Sequence, residues 1–91
     1  MGRVGREGEM SGTVVVLYGR DGCHLCEEAK DALLALRSEG VAFELLEVDI
    51  ESDPDLLRRN LERIPVIEVG GDEVCELGFD EGAVRARLAS L

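Results

Sequence analysis

Two cysteines three positions apart, Cys23 and Cys26, are the residues of this chain best suited to carry out chemistry. Thiols at this spacing can reduce a disulfide, because one thiolate attacks it and the second releases the product. The same spacing occurs in zinc sites, which need four ligands, and only His24 and Cys75 could complete such a set. Because His24 lies between the two cysteines, it points away from a shared metal. The pattern therefore predicts a dithiol and no metal site, with inert packing of both thiols as an alternative.

The segments on either side of Cys23 predict a strand followed directly by a helix. Residues 13–18 form a β-branched, apolar run that is typical of a central parallel strand covered on both faces, and residues 19–22 form a loop. From Cys23 the pattern is helical until Gly40, with Leu25, Ala29, Ala32, Leu33 and Leu36 on one apolar stripe. A helix N-terminus offers free N–H groups and a positive dipole end, both of which stabilise a thiolate. We therefore expect Cys23 to be the nucleophile and Cys26, one turn later, to be the resolving cysteine.

The remaining patterns predict the rest of an α/β domain. After the first helix come a strand over 41–48 and a helix that runs from the Asp53 cap to about Leu61. A hairpin follows, with strands 65–69 and 73–77 on either side of the Gly70-Gly71 turn. The last element is a helix capped by Asp80, and its inward-facing residues are Val84, Leu88 and Leu91. A right-handed crossover makes the first two strands parallel neighbours. The predicted order β-α-β-α-β-β-α gives a four-stranded mixed sheet with helices on both faces, which is a thioredoxin-like architecture.

Length and cysteine count restrict the class of protein. Ninety-one residues suffice for one domain, which we place over 13–91 after a flexible N-terminal tail, 1–12. An odd number of cysteines is a poor disulfide framework for a secreted protein, and it suits a reducing compartment. No apolar run approaches the ~20 residues of a membrane span, and residues 1–12 lack the apolar stretch of a signal peptide. We therefore expect a cytoplasmic monomer that does not bind membranes.

The charge balance excludes one class of partner. The formal net charge is −10, whereas nucleic-acid binding requires a basic surface. An acidic protein attracts basic or neutral protein partners, although acidic residues also serve simply to keep a small protein in solution.

The segment from Leu17 to Lys30, LYGRDGCHLCEEAK, resembles the active-site segment of glutaredoxins. It is most similar to bacterial glutaredoxin-like proteins that carry C-H-L-C in place of C-P-Y-C, and the resemblance extends over about residues 13–90. It implies a thioredoxin fold, no bound cofactor, glutathione as the reductant, and glutathione or disulfide-containing proteins as partners.

The resemblance also implies a set of substrate-binding residues. Arg20 matches the basic residue that meets a glutathione carboxylate. Ile64 and Pro65 match the family's cis-proline and the residue before it, whose backbone binds the cysteinyl part of the substrate. A proline that opens a strand is also compatible with a cis bond on physical grounds. Gly78 and Asp80 match the turn before the last helix, where the γ-glutamyl end of glutathione binds.

The chain departs from the glutaredoxin pattern at two places in this predicted glutathione site. Arg63 and Ile64 stand where Thr-Val usually precedes the proline, and Arg63 is either a replacement anion contact or an ordinary surface residue. The double glycine before the last helix is reduced to Leu77-Gly78, followed by Phe79. These changes affect the glutathione site and leave the dithiol unchanged.

Several residues around the dithiol have two interpretations. His24 can stabilise the Cys23 thiolate when it is protonated, or it can be an exposed helix residue without a role. Glu27 and Glu28 complement the helix dipole but oppose thiolate formation. Cys75 is expected to be a small, partly buried apolar residue, with a regulatory thiol as the alternative.

Two functional hypotheses follow from these patterns. The first is an enzyme that reduces disulfides, with glutathione or a thioredoxin-reductase type of partner as its electron donor. The second is a non-catalytic binding module of the same fold, or an adaptor that holds a soft metal ion or an iron–sulfur cluster. The presence of both cysteines at a helix start favours the enzyme.

Overall fold

The computed structural model describes residues 13–91, so the tail predicted over 1–12 lies outside the described residues. Its elements, in chain order, are β1 (Val14–Gly19), α1 (His24–Ser38), β2 (Glu44–Asp49), a 3-10 turn (Ile50–Ser52), α2 (Pro54–Asn60), β3 (Val66–Val69), β4 (Asp72–Glu76) and α3 (Glu81–Ala89). This order confirms the predicted α/β, thioredoxin-like fold. In residues 13–91 no helix has the length and apolarity needed to cross a membrane.

The four strands form one mixed sheet in the order β2-β1-β3-β4. β1 is parallel to β2 and antiparallel to β3, and β3 is antiparallel to β4. The predicted parallel pairing of the first two strands is therefore confirmed, and β1 is central as its apolar run indicates. Because Tyr18 pairs with Val66, the next residues outward, Gly19 and Pro65, lie at the same end of the sheet. We call this the dithiol end.

Helices cover both faces of the sheet. One face buries Val15, Leu17, Ile67 and Val69 against α1 and α3, whose contributions are Ala29, Leu33, Leu36 and Val84. On the other face lies Tyr18, whose pKa is raised by burial and by the nearby Glu68 carboxylate. The positive charge of Arg59 in α2 opposes this shift.

Three details of the sequence-based prediction are wrong. Leu25 is 48% exposed, because Cys26 takes its place on the buried stripe of α1. The second strand begins at Glu44 rather than residue 41, since it pairs only with β1, which starts at Val14. Leu91 is 56% exposed, because α3 ends at Ala89 and no longer directs it inward.

Candidate active site

The cysteine pair lies at the N-terminus of α1, where Cys23 is the N-cap residue in an extended conformation. Its Sγ accepts a hydrogen bond of 3.1 Å from the backbone N–H of Cys26. The cysteines are joined by a disulfide, with their Cα atoms 5.2 Å apart. A sulfur therefore takes the acceptor position that Ser, Thr or Asp usually occupies at a helix start.

The two sulfur-bearing side chains differ in exposure. Cys23 is half-buried, whereas Cys26 is only 6% exposed and belongs to the buried side of α1. Its close approach to the sheet depends on Gly19, because a Cβ there would lie 3.0 Å from the Cys26 Sγ and 3.1 Å from its Cβ. Sequence reasoning placed Gly19 only in a loop. The available signal was a glycine that ends a strand just before a C-x-x-C segment.

Arg20 lies beside the pair and makes an ion pair with Glu51 at 2.9 Å. Both side chains are partly exposed. Arg20 and Cys26 border a groove of about 300 Å³, which Cys23 does not line. The Lys30–Glu47 ion pair, at 3.2 Å, lies along the same groove. Arg20 thus shares a groove with Cys26, and its guanidinium is paired with a carboxylate of the protein itself. A contact with a glutathione carboxylate stays a prediction.

His24 is directed along the solvent-facing side of α1. Its side chain is 83% exposed, and its Nε2 lies 2.8 Å from a carboxylate oxygen of Glu28, one turn later. This contact fits the interpretation of His24 as an exposed helix residue. A role in stabilising the Cys23 thiolate stays a prediction.

The Ile64-Pro65 peptide bond is cis, as the resemblance implies. Pro65 is buried and Ile64 half-buried. The carbonyl of the buried Asn60 holds the turn before them. It accepts hydrogen bonds from the backbone N–H groups of Arg63 (2.8 Å) and Ile64 (3.1 Å). This hydrogen-bonding fixes the backbone that enters β3 at the dithiol end.

Arg63 is paired within the protein rather than directed at an empty anion site. Its guanidinium contacts Glu73 and donates to Glu76 at 3.0 Å, and these bonds hold the Arg63 pKa above its usual range. Its backbone carbonyl accepts the N–H of Leu77 at 2.8 Å. Arg63 therefore ties the segment before Pro65 to the end of β4.

Gly78 and Asp80 lie between β4 and α3. Asp80 is the N-cap of α3, and its Oδ1 accepts the N–H of Ala83 at 3.1 Å, which confirms the predicted cap. Leu77, where the family has the first glycine of its pair, adopts a φ of +64°. A leucine is thus held in a left-handed conformation that ordinarily favours glycine.

Cys75 lies in β4 opposite Ile67 and is 8% exposed within the main core. Its Sγ is 3.8 Å from the carbonyl of Asp80, to which it donates. Burial raises the pKa of this thiol; hydrogen bonding with the Asp80 backbone opposes the shift, and the Asp80 charge adds to it. The predicted role of a small apolar core residue is confirmed. Across residues 13–91, no three His, Cys, Asp or Glu side chains are grouped to hold a metal ion.

Comparison with protein families identifies the family of the chain. Residues 14–89 match the Glutaredoxin-like domain (DUF836). The chain belongs to this family. No curated protein matches it.

Solved structures agree with this glutaredoxin-like assignment. The solution structure of Ne2328 from Nitrosomonas europaea is 31% identical, with a TM-score of 0.74, over 90% of this chain and 98% of that one. XcR50 from X. campestris is 36% identical, with a TM-score of 0.66, over 85% and 97%. Oxidized mitochondrial thioredoxin 3 of Saccharomyces cerevisiae, at 17% identity, matches in fold alone, with a TM-score of 0.63 over 87% and 78%. The protein is thus a glutaredoxin-like, thioredoxin-fold protein with a cysteine pair at disulfide distance.

Proposed function

We propose that this glutaredoxin-like protein is a thiol–disulfide oxidoreductase that reduces mixed disulfides of glutathione or proteins. The observation that carries the proposal is the asymmetry of the pair. Cys23 caps α1, accepts a backbone N–H and is the more exposed, whereas Cys26 is buried behind it. The more exposed Cys23 sulfur suits attack on a substrate disulfide. The buried Cys26 sulfur suits the second step, in which it attacks the mixed disulfide at Cys23.

The reaction begins with the reduced dithiol. The Cys23 thiolate attacks one sulfur of the substrate disulfide, the substrate S–S bond breaks, and the leaving thiolate takes a proton from water. A mixed disulfide now joins Cys23 to the substrate. Cys26 releases its proton to solvent, and its thiolate attacks the Cys23 Sγ. The second substrate thiol leaves, and two electrons have passed from the dithiol to the substrate.

The oxidised Cys23–Cys26 pair is the product of this reaction and must be reduced again. We propose glutathione as the donor: two molecules each give up one electron and one proton and become glutathione disulfide. The protein would act as a cytoplasmic monomer on glutathione or protein disulfides, without nucleic-acid or membrane partners. Nothing is bound as a cofactor in this scheme.

The proposed glutathione contacts are Arg20, His24, Ile64, Pro65, Gly78 and Asp80. The Arg20–Glu51 ion pair is partly exposed, and such pairs contribute at most about 1 kcal/mol, so a glutathione carboxylate can replace Glu51 at little cost. Asp80 already accepts the Ala83 N–H with Oδ1. Any further contact at this turn would have to come from its other oxygen or from the backbone.

The test traps the intermediate. Cys26→Ser, reduced and then exposed to oxidised glutathione, is expected to retain one glutathionyl group on Cys23, as peptide mass spectrometry would show. Cys26→Ser combined with Cys75→Ala provides the matched control and should carry the same adduct. An adduct on Cys75 in place of Cys23 would overturn the assignment of the nucleophile, and absence of any adduct would overturn the proposed reaction.

A further inference from the structure

Arg63, in the segment that enters β3, is bonded to several parts of the fold. Its guanidinium makes ion pairs with Glu73 and, at 3.0 Å, with Glu76, both in β4. Its backbone N–H donates to the Asn60 carbonyl at the end of α2 (2.8 Å), and its backbone carbonyl accepts the N–H of Leu77 (2.8 Å). The main chain and the side chain of one residue therefore join the end of α2 to β4.

These ion pairs add little to the stability of the fold. The Arg63 side chain is 34% exposed and its two partners 45% and 54%, and ion pairs in contact with water contribute little to folding. Arg85 has the same arrangement, because its guanidinium also binds two carboxylates, those of Glu39 at 2.7 Å and Glu81 at 2.6 Å. Arg63 differs from Arg85 in the backbone segment that it holds.

That backbone segment lies at the dithiol end of the sheet. Pro65 follows in register opposite Gly19, at the end of the neighbouring strand β1. A Cβ on Gly19 would lie 3.0 Å from the Cys26 Sγ, so this strand end is in contact with the reactive pair. The segment formed by Arg63 and Ile64 therefore enters the sheet one strand away from the dithiol.

Ile64, directly after Arg63, uses only one of its two backbone hydrogen-bonding groups within the protein. Its N–H donates to the Asn60 carbonyl at 3.1 Å, whereas its own carbonyl accepts no N–H from the backbone of residues 13–91. The carbonyl of a half-buried residue is ordinarily paired, because leaving it without a donor costs free energy. The Ile64 carbonyl is thus suited to accept an N–H group of a peptide substrate at the reactive pair.

Resting on the proposed function, we propose that Arg63 is a positioning residue for the Ile64 carbonyl and thereby sets the preference for disulfides that carry a peptide backbone. Its ion pairs with β4 hold this carbonyl in place before the substrate arrives, so the segment loses little conformational freedom on binding. Arg63 itself contacts no substrate, because Glu73 and Glu76 already bind its guanidinium. This role differs from both sequence-based interpretations of Arg63, an anion contact and an ordinary surface residue.

The experiment compares a disulfide that has peptide groups with one that has none. Pre-reduced protein is mixed with oxidised glutathione or with bis(2-hydroxyethyl) disulfide, and no other thiol is present. The reaction is quenched with acid at successive times, and the remaining protein thiols are counted by alkylation and mass spectrometry. The quantity measured is the ratio of the rate constant with oxidised glutathione to that with bis(2-hydroxyethyl) disulfide.

In Arg63→Gln this ratio is expected to fall about tenfold, the factor that corresponds to ordering the backbone of one residue on binding. The whole decrease should come from oxidised glutathione, because bis(2-hydroxyethyl) disulfide has no N–H group for the Ile64 carbonyl. An unchanged rate constant with the second disulfide also shows that the variant is folded and that its dithiol is intact.

Two further variants provide the controls. Arg85→Gln removes the same charge and the same kind of paired guanidinium from α3, and it should keep the wild-type ratio. Glu73→Gln combined with Glu76→Gln removes the ion pairs of Arg63 but keeps the arginine, and it should lower the ratio as Arg63→Gln does. Combining all three changes at Arg63, Glu73 and Glu76 should lower the ratio no further, because they disrupt one network.

The outcomes separate this inference from the proposed function. A lower ratio in Arg63→Gln with a higher ratio in the Glu73 and Glu76 double variant would show that Arg63 binds a glutathione carboxylate directly, and it would overturn the positioning role. An unchanged ratio in Arg63→Gln, or an equal loss in Arg85→Gln, would overturn it as well. Wild-type protein that reduces neither disulfide would instead overturn the proposed oxidoreductase activity.

Discussion

The starts of α1 and α3 both present free backbone N–H groups, yet the sulfur atom near each start has the opposite hydrogen-bonding role. At α1 the cap is Cys23, whose Sγ accepts the N–H of Cys26. At α3 the cap is Asp80, whose carboxylate accepts the N–H of Ala83, and the nearby Cys75 sulfur donates to the Asp80 carbonyl. One helix start has a sulfur as acceptor, and the other has a sulfur as donor.

The difference shows that position, and not residue type, assigns the role of a cysteine. Free N–H groups at a helix start favour a negatively charged acceptor, so they stabilise the thiolate form of a cysteine placed there. A sulfur in the buried part of a strand loses the solvation of its charged form and stays a thiol. Cys23 is consequently suited to attack, whereas Cys75 is suited to packing.

Replacing each cysteine in turn should give the largest contrast. Cys23→Ser is expected to lower the reduction of a glutathione mixed disulfide on the order of 10³-fold or more, because the attacking group is lost. Cys75→Ala should keep wild-type activity within about twofold, since a buried core thiol takes no part in the reaction. A coupled assay of thiol release measures both variants. Comparable losses of activity in the two variants would contradict the distinction between Cys23 as the attacking thiol and Cys75 as a packing residue.

Glycine-to-alanine changes near the two helix starts, at the end of β1 and in the first turn of α3, should have opposite effects on the free energy of unfolding. Gly19→Ala places a Cβ 3.0 Å from the Cys26 Sγ and should lower the free energy of unfolding by about 1–3 kcal/mol through overpacking. Gly82→Ala, in the first turn of α3, meets its nearest atom at an ordinary 3.5 Å and should raise it by about 0.5–1 kcal/mol. Urea unfolding of the oxidised proteins measures both. A neutral Gly19→Ala would show that the close approach to Cys26 is not required.

Local patterns were sufficient to predict the element order and the site of the pair. The β-branched run in β1, the Asp53 and Asp80 caps and the Gly70-Gly71 turn all act within a few residues, so they can be read along the chain. The exposure of Leu25 could not be predicted this way. It depends on which side of α1 meets the sheet, and the helix buries Cys26 instead.

The contacts of the charged residues were also beyond sequence reasoning. Arg63 bonds to Glu73 and Glu76, ten and thirteen residues away, only because β4 returns beside the turn before β3. Arg20 similarly meets Glu51 through the parallel pairing of β1 and β2. Neither spacing is a local motif. The left-handed conformation of Leu77 was not predicted either, and the N–H of Leu77 donates to the carbonyl of Arg63, which is distant in sequence.

Removing the oxygen cap of α3 should have a moderate effect. Asp80→Ala is expected to lower the free energy of unfolding by about 1 kcal/mol, because the Ala83 N–H loses its acceptor. Asp80→Asn should restore most of this stability, since asparagine caps nearly as well. Urea unfolding at neutral pH distinguishes the two variants. An equal loss in Asp80→Asn would attribute the effect to the charge rather than to the hydrogen bond.

The buried thiol should produce the smallest effect, which appears only at alkaline pH. Burial raises the pKa of Cys75 above its ordinary value of 9.0. As the pH rises through that value, the unfolded thiol loses its proton while the folded one keeps it. The stabilising contribution is therefore complete below about pH 9 and is lost as the pH approaches the folded pKa.

Oxidised wild type and oxidised Cys75→Ala provide the comparison, because Cys23 and Cys26 do not titrate while they form a disulfide. The free energy of unfolding should fall more steeply with pH in the wild type than in the variant. Tyr18, whose pKa is also raised, contributes to both proteins alike and cancels in the difference. Identical slopes would mean that the Cys75 thiol is as easily ionised in the fold as outside it. The contrast between a buried sulfur and the capping sulfur of Cys23 would then rest on hydrogen bonding alone.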